Sequence, residues 1–240
     1  MNKLNHINIF EFEIYSGSID NLTKKIERDI LNNVCNICFA INPLKVILAK
    51  EDWETKSALQ KADILIPDGV GIIYAAKKKH LAIKERITGI DLMHKICMMS
   101  CRTNSSVFIY GSTEENLKKA VINLRKLYPR IKIAGYVNGY EENEEHINRL
   151  INKSGADILF VACGSPMQEK YIYKNSKNLP NVKFFLGVGG SVDVISGSVK
   201  RSPYIIRKAN LEWLYRMVFQ PRRLPNIKKI IEFLYINHKL

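Results

Sequence analysis

Short apolar runs alternate with longer segments of helical spacing along most of the chain. Residues 64–66, 156–163 and 184–188 are apolar at nearly every position, which is typical of strands buried on both faces of a parallel sheet. The segments 20–32 and 114–128 instead repeat their apolar residues at the spacing of an amphipathic helix. Regular alternation of these two patterns, with short connections, predicts an α/β fold.

The predicted elements fit one Rossmann-like, doubly wound, mostly parallel sheet, because neighbouring parallel strands need helical crossovers. The predicted strands are 7–15, 34–41, 64–66, 106–110, 131–137, 156–163 and 184–188, and the predicted helices are 20–32, 44–61 with a break near Glu51, 72–76, 89–101, 114–128 and 143–153. We find no domain break before about residue 195. The chain is therefore predicted to have a main domain over 1–195 and a basic, helical C-terminal appendage over 196–240, with helices at 204–218 and 224–238.

Six of the predicted strands are each followed by Gly, Asn, Asp or Gln. In open α/β sheets, ligands bind outside the carboxyl ends of the strands. These residues therefore predict one polar rim where a ligand binds.

The stretch 63–71 places a carboxylate and two glycines at the predicted rim. Pro67 ends the apolar run because it has no N–H to donate to a sheet, and Asp68 follows at the carboxyl end of the strand. Gly69 and Gly71 allow a backbone or a ligand to approach closely. Two interpretations of Asp68 stay open at this point: a general base or the N-cap of the next helix.

Charge is distributed unevenly along the chain. The net charge is +14, and residues 200–240 contain ten Lys or Arg against two Glu, a balance of +8. Such a tail suits an anionic partner, either nucleic acid, acidic lipid or a phosphate-bearing substrate. Its mixture of aromatic, Leu and basic residues fits an interfacial amphipathic element, and it equally fits helices that dock on the main domain.

Other features exclude several classes of protein. No apolar run approaches the roughly 18–20 residues of a membrane span, the N-terminus does not resemble a secretory leader, and five cysteines suit a reducing compartment. Cys35 and Cys38 have redox or zinc-knuckle spacing, but core packing is the favoured interpretation. The absence of Walker A and GxGxxG sequences argues against an NTPase and a nicotinamide dehydrogenase. We find no Ser/His/Asp or Cys/His triad and no paired aspartates for a divalent metal, so neither a metal nor another cofactor is predicted.

Several motifs, in order from about residue 34 to 225, together resemble the WecG/TagA/CpsF family of bacterial glycosyltransferases. They are Asn42-Pro43, Ala62-Asp63 through Asp68-Gly69-Val-Gly71, Arg86-Ile-Thr-Gly89-Ile-Asp91-Leu-Met93, Asn138-Gly139-Tyr140, Gly164-Ser-Pro166-Met-Gln168-Glu169, Gly187-Val-Gly189-Gly190 with Asp193, Gly197, Lys200-Arg201-Ser-Pro203, and Leu211-Glu212-Trp213 through Arg216 with Pro221-Arg222-Arg223. Each motif is weak alone, and their common order makes the resemblance specific.

The resemblance implies an inverting, metal-independent transfer from a UDP-sugar to an undecaprenyl-diphosphate-linked sugar. The best-known members transfer N-acetylmannosamine to lipid-linked N-acetylglucosamine in teichoic acid synthesis, and others transfer glucose or a mannosaminuronic acid for surface polysaccharides. UDP-N-acetylmannosamine is therefore the expected donor, with UDP-glucose or a UDP-uronic acid as the alternative. A more remote alternative is a non-catalytic module that binds a membrane or nucleic acid through the basic tail, although the family implies no nucleic-acid partner.

The resemblance also assigns roles to residues. Asp68 is expected to be the general base, while Asn42, Arg86 and Gln168 match pocket positions of the family. Their amide and guanidinium groups suit sugar hydroxyls and diphosphate oxygens. The nucleotide end is expected at four further positions, namely Tyr140, Gly189, Gly190 and Asp193.

Two arginines of the tail match positions that close over the site in the family. Arg216 and Arg223 are expected to neutralise the leaving UDP, so the tail is predicted to act both as a lid and as a contact with the inner face of the cytoplasmic membrane. Self-assembly into a homo-oligomer that hides or exposes the tail is a further expectation. Two departures from the family pattern are Ala40, where a Thr is usual, and Asn226, where a basic residue is usual; they leave the sugar identity and the lid contacts open.

Overall fold

A computed structural model describes residues 5–208, 211–219 and 226–238 of the chain. These residues form one eight-stranded sheet in the order β1-β2-β4-β3-β8-β7-β5-β6. The strands are β1 (His6–Ile9), β2 (Phe12–Tyr15), β3 (Asn36–Ile41), β4 (Ile64–Pro67), β5 (Ser106–Gly111), β6 (Lys132–Val137), β7 (Ile158–Ala162) and β8 (Phe184–Gly187). β1 pairs antiparallel with β2, and every other neighbouring pair is parallel. The predicted α/β, Rossmann-like sheet is confirmed.

Helices cover both faces of the sheet. They are α1 (Ile19–Leu31), α2 (Pro43–Glu51), α3 (Trp53–Gln60), α4 (Val70–Lys78), α5 (Gly89–Thr103), α6 (Glu114–Leu127), α7 (Glu144–Ser154), α8 (Met167–Asn175), α9 (Ser191–Ser196), α10 (Tyr204–Lys208), α11 (Glu212–Phe219) and α12 (Asn226–His238). Apolar side chains of α1, α5, α6 and α9 form one buried cluster with the sheet. Those of α2, α4, α7, α8 and α12 form a second cluster on the opposite face.

The doubly wound arrangement creates a switch point between β3 and β8. These two strands are neighbours, with Phe39 paired to Gly187. The helix that follows β3 packs on one face of the sheet, whereas the helix that follows β8 packs on the other. At such a point the two connections diverge and leave a crevice, which is where ligands bind in open α/β sheets.

The prediction of one strand over 7–15 is wrong, because this segment is a hairpin. Ile9 pairs with Phe12, and the two residues between them, Phe10 and Glu11, both have positive φ (55° and 65°). Two-residue hairpin turns with positive φ at both central residues usually contain Asn-Gly or Asp-Gly. Here an aromatic and an acidic residue adopt this conformation, so the apolar alternation runs through the turn without a visible signal.

The break predicted near Glu51 is confirmed at Asp52. Asp52 ends α2 and caps α3, where its carboxylate accepts hydrogen bonds from the Glu54 N–H (3.2 Å) and the Thr55 hydroxyl (2.7 Å). A salt bridge of 2.6 Å from Lys170 also ties it to α8. One aspartate therefore holds the junction of three helices.

The last described helix, α12, packs against α2 and the β1–β2 hairpin. Its Phe233 is 1% exposed and packs against the Phe10 ring at a centroid distance of 5.2 Å. Lys229 forms an ion pair with Glu51, and Lys78 Nζ donates to the Asn237 carbonyl at 2.8 Å. The opposite side of α12 exposes Ile231, Leu234 and Tyr235, and contact of the tail with a membrane stays a prediction. Among the described helices, none has the length and apolar character to cross a bilayer.

Candidate active site

Asn42 and Asp68 lie side by side at the carboxyl ends of β3 and β4. Ile41 pairs with Pro67 in the parallel register, and the Asp68 N–H donates to the Ile41 carbonyl at 2.9 Å. A side-chain carbon built on Gly69 would lie 3.6 Å from the Asn42 Cβ. The fold therefore brings these two predicted site residues together, as the alternation of strands and polar ends indicates.

Asp68 does not occupy the cap position of the helix that follows it. The N-cap of α4 is Gly69, which adopts a φ of 98° and has no side chain to accept a hydrogen bond. The capping interpretation of Asp68 is therefore wrong. Its role as a general base stays a prediction, and its partly exposed position at the end of a buried strand is compatible with that role.

Asn42, by contrast, is a helix cap. Its Oδ1 accepts a hydrogen bond of 3.0 Å from the Lys45 N–H and satisfies one of the unpaired donors at the start of α2. The cap uses the amide oxygen, so the Nδ2 donor is the atom that a ligand would use.

Gln168 is held at both ends of its side-chain amide by the protein. Its Oε1 accepts the Gly189 N–H at 2.8 Å, and its Nε2 donates to Glu169 Oε1 at 2.8 Å. The residue is 3% exposed, and its amide touches the position where a Cβ on Gly187 would lie. Gln168 thus fixes the loop after β8, and direct contact with a substrate stays a prediction.

The hydrogen bonds of Gln168 extend to two residues that were not predicted as site residues, Lys45 and Glu169. Lys45 Nζ lies 2.7 Å from Glu169 Oε1 and also donates to the Ala40 carbonyl at 2.6 Å. Both residues are buried, with Glu169 fully so. Glu169 stands inside a motif quoted for the family resemblance, but a lysine in the first turn of a helix normally faces solvent, so the sequence gives no signal for Lys45.

Asp193, in α9, joins this helix to Ser112 after β5 and to Asn116 of α6. Its Oδ1 accepts hydrogen bonds from the Ser112 hydroxyl (2.6 Å) and the Asn116 amide (2.9 Å). Gly190, three residues earlier, is the N-cap of α9. Tyr140, after β6, is 76% exposed and available for stacking. The structure thus places these residues on the same rim, while contact with a nucleotide stays a prediction.

Arg86 lies in the loop that runs along the end of β4, where the Ile87 N–H donates to the Pro67 carbonyl at 3.0 Å. Its Nη2 lies 3.3 Å from Glu212 Oε2 of α11, so the appendage reaches this predicted pocket residue. A pocket of about 460 Å³ opens beside Arg86 between α1 and α5. At its edge, Asp91 accepts a hydrogen bond from the Thr88 hydroxyl (2.6 Å) and pairs with Arg201 (2.5 Å).

The two predicted tail arginines are located only in part. Arg216 lies within α11, and its side chain is outside the described atoms. Arg223 lies outside the described residues. Their roles as charge-neutralising groups stay predictions.

The cysteines do not form a paired site. Cys38 is buried in the core, which raises the pKa of its thiol, and Cys35 is exposed. Within residues 5–208, 211–219 and 226–238, no group of three His, Cys, Asp or Glu side chains is placed to hold a metal ion. Metal independence stays a prediction, because it concerns the reaction and not this arrangement.

Comparison with known proteins decides the family. The model of the glycosyl transferase WecG/TagA/CpsF family matches residues 7–237. The chain belongs to this family. It is therefore a glycosyltransferase, and the match extends through the appendage as well as the sheet.

Three of the curated relatives share one name. A protein of Bacillus subtilis (strain 168), 32% identical over 193 residues that span 80% of this chain and 75% of the relative, is an N-acetylglucosaminyldiphosphoundecaprenol N-acetyl-beta-D-mannosaminyltransferase. A protein of Bacillus spizizenii with the same name is 33% identical over 79% of this chain and 75% of the relative. One of Staphylococcus aureus (strain NCTC 8325 / PS 47), also with this name, is 29% identical over 95% of this chain and 92% of the relative.

Proposed function

We propose that this glycosyltransferase moves N-acetylmannosamine from UDP-N-acetylmannosamine to undecaprenyl-diphosphate-linked N-acetylglucosamine, with inversion and without a metal ion. The main support is the position of Asp68 beside Asn42, at the carboxyl end of β4. The chain also matches the family from residue 7 to 237. The names of the relatives supply the acceptor and the sugar.

The proposed chemistry needs one base. The acceptor hydroxyl attacks the anomeric carbon of the donor, its proton passes to the Asp68 carboxylate, and the bond between the anomeric carbon and the diphosphate oxygen breaks. The electron pair of that bond leaves with UDP. A single in-line displacement inverts the anomeric centre and needs no second carboxylate as a nucleophile.

The leaving diphosphate develops negative charge, which cationic side chains would stabilise. Arg86 lies beside β4 and is held by Glu212 of the appendage. Arg216 and Arg223 are the further candidates. Planar guanidinium groups suit this task because they bind phosphate oxygens in a bidentate way.

We also propose that the appendage contacts the inner face of the cytoplasmic membrane, where a lipid-linked acceptor would be presented. The charge balance of +8 over residues 200–240 and the exposed stripe of Ile231, Leu234 and Tyr235 support this proposal. Co-sedimentation with anionic vesicles tests it: Ile231→Ser/Leu234→Ser should weaken binding, and equal binding of this variant would contradict it.

The function is tested by incubating the protein in EDTA with a panel of UDP-sugars and a short-chain polyprenyl-diphosphate-GlcNAc acceptor. We expect UDP release with UDP-N-acetylmannosamine, and NMR of the product should show an anomeric configuration opposite to that of the donor. Turnover only with UDP-glucose or a UDP-uronic acid would show that UDP-N-acetylmannosamine is not the donor. Ala40, in place of the usual Thr, would help to explain that result. Turnover only after a divalent metal is added would overturn metal independence, and failure to bind UDP would overturn the proposal.

A further inference from the structure

A line of hydrogen bonds and one ion pair, joined through the Lys45 side chain, crosses the switch point between β3 and β8. It begins at Asn42, whose Oδ1 caps the Lys45 N–H, and continues from Lys45 Nζ to Glu169 Oε1. Glu169 Oε1 also accepts the Gln168 Nε2 at 2.8 Å, and Gln168 Oε1 accepts the Gly189 N–H at 2.8 Å. One line therefore joins the turn after β3, the start of α8 and the loop after β8.

The charges in this line are deeply buried. Lys45 is 4% exposed and Glu169 is 0% exposed, and Glu169 Oε2 is a buried atom with no hydrogen-bond partner among the described residues. A buried carboxylate loses its hydration, so a cation must stabilise its negative charge, and here that cation is Lys45. Replacement of a buried ion pair by apolar residues is often neutral or stabilising, so folding stability alone is a weak reason for this pair.

We propose that Lys45 and Glu169 are positioning residues for the transfer reaction. Their ion pair presents a fixed acceptor, Glu169 Oε1, to the Gln168 amide, and this fixes which end of the amide faces Gly189. The Gly189 N–H then has an acceptor, and the loop 187–190 is held at a set distance from the Asn42 turn. The catalytic part of this proposal rests on the proposed function, because the family resemblance places the UDP of the proposed donor at Gly189 and Gly190.

The decisive variant removes both charges of the ion pair together with Glu169 Oε1, the acceptor of the Gln168 Nε2 hydrogen bond. Lys45→Met/Glu169→Leu leaves no uncompensated charge, so we expect it to fold, with a melting temperature lowered only by the unpaired Gln168 Nε2 and Ala40 carbonyl. We expect hydrogen exchange of the Gly189 amide, measured by NMR, to become at least about tenfold faster as its acceptor loses its anchor. We expect kcat to fall about tenfold with a smaller change in KM, since misplacement of bound groups acts on the reacting geometry.

Two further variants separate positioning from packing. Lys45→Met/Glu169→Gln keeps an oxygen for the Gln168 amide and should restore both Gly189 protection and most of kcat. Gln168→Met keeps both charges and should reproduce the loss of protection and of kcat, which provides the test if the apolar pair fails to fold. The matched control is Lys174→Met/Glu144→Gln, which removes an exposed Lys–Glu pair of 2.8 Å that also involves α8 and should change neither quantity.

Wild-type kcat and wild-type Gly189 exchange in folded Lys45→Met/Glu169→Leu, or in Gln168→Met, would overturn the proposal. The exchange measurement needs no substrate. If the wild-type protein fails to turn over the proposed substrates, the loss of Gly189 protection still tests the positioning network, so the two failures are distinguishable.

Discussion

Arg86 and Glu212 connect the appendage to the rim of the sheet. Arg86 Nη2 lies 3.3 Å from Glu212 Oε2, and the two side chains are only 18% and 10% exposed. The residues are far apart in the chain, one in the loop after α4 and the other at the start of α11. The appendage thus reaches a residue predicted to bind substrate.

Glu212→Gln should weaken this connection. Because the pair is mostly buried, loss of the charge should cost about 1–2 kcal/mol, which corresponds to a decrease of about 5- to 30-fold in kcat/KM if Arg86 orientation limits the reaction. Steady-state kinetics with the proposed substrates measures the change, and limited proteolysis measures release of the appendage. The control is Glu232→Gln, an exposed glutamate of α12 that should leave both unchanged. Wild-type kinetics and proteolysis in Glu212→Gln would show that this contact has no role in docking.

Gly71→Ala should loosen the docked C-terminal helix. A Cβ on Gly71 would lie 2.5 Å from Pro43 Cγ and 3.0 Å from Phe233 Cε1. Overpacking of this kind costs about 1–3 kcal/mol, so we expect a lower melting temperature and faster hydrogen exchange in α12. Gly89→Ala is the matched control, because its Cβ would lie no closer than 3.8 Å to the Gly187 carbonyl oxygen. Equal melting temperatures for the two variants would mean that α12 does not depend on this contact.

The strand and helix pattern predicted the sheet and the polar rim because these follow from local periodicity. Asn42 and Asp68 come together since the carboxyl ends of adjacent parallel strands share one edge. The turn at Phe10 and Glu11 was not predictable because neither residue favours positive φ. Burial of Lys45 was not predictable either, because its partner Glu169 lies 124 positions away by residue number and meets it only across the switch point.

Asp52→Asn should remove a pH-dependent contribution to stability. A hydrogen bond from Lys170, with a further one from Thr55, lowers the pKa of Asp52 to about 2. A lowered pKa means that the folded state favours the carboxylate, so this stabilisation is present above the ordinary Asp pKa and is lost as pH falls toward about 2. Asparagine caps helices about as well as aspartate, so the variant isolates the charge.

Thermal unfolding of the two proteins between about pH 2 and about pH 6 checks this prediction. Because the carboxylate is partly exposed, the difference should stay within about 1 kcal/mol, or about 2–4 °C in Tm, above about pH 4 and should shrink steadily as the pH falls toward about 2. A difference that is constant with pH would contradict the assigned cause.

The role of Asp68 is tested most directly by comparing Asp68→Asn with Asp63→Asn, two substitutions at opposite ends of β4. Asp63 accepts the Ile37 N–H at 2.8 Å, a bond that an asparagine oxygen can retain. If Asp68 is the general base, kcat for transfer from UDP-N-acetylmannosamine should fall about 10²- to 10⁴-fold in Asp68→Asn, with UDP affinity and Tm preserved. The Asp63 variant should keep its activity. Wild-type kcat in a folded Asp68→Asn protein would contradict the assignment of Asp68 as the base.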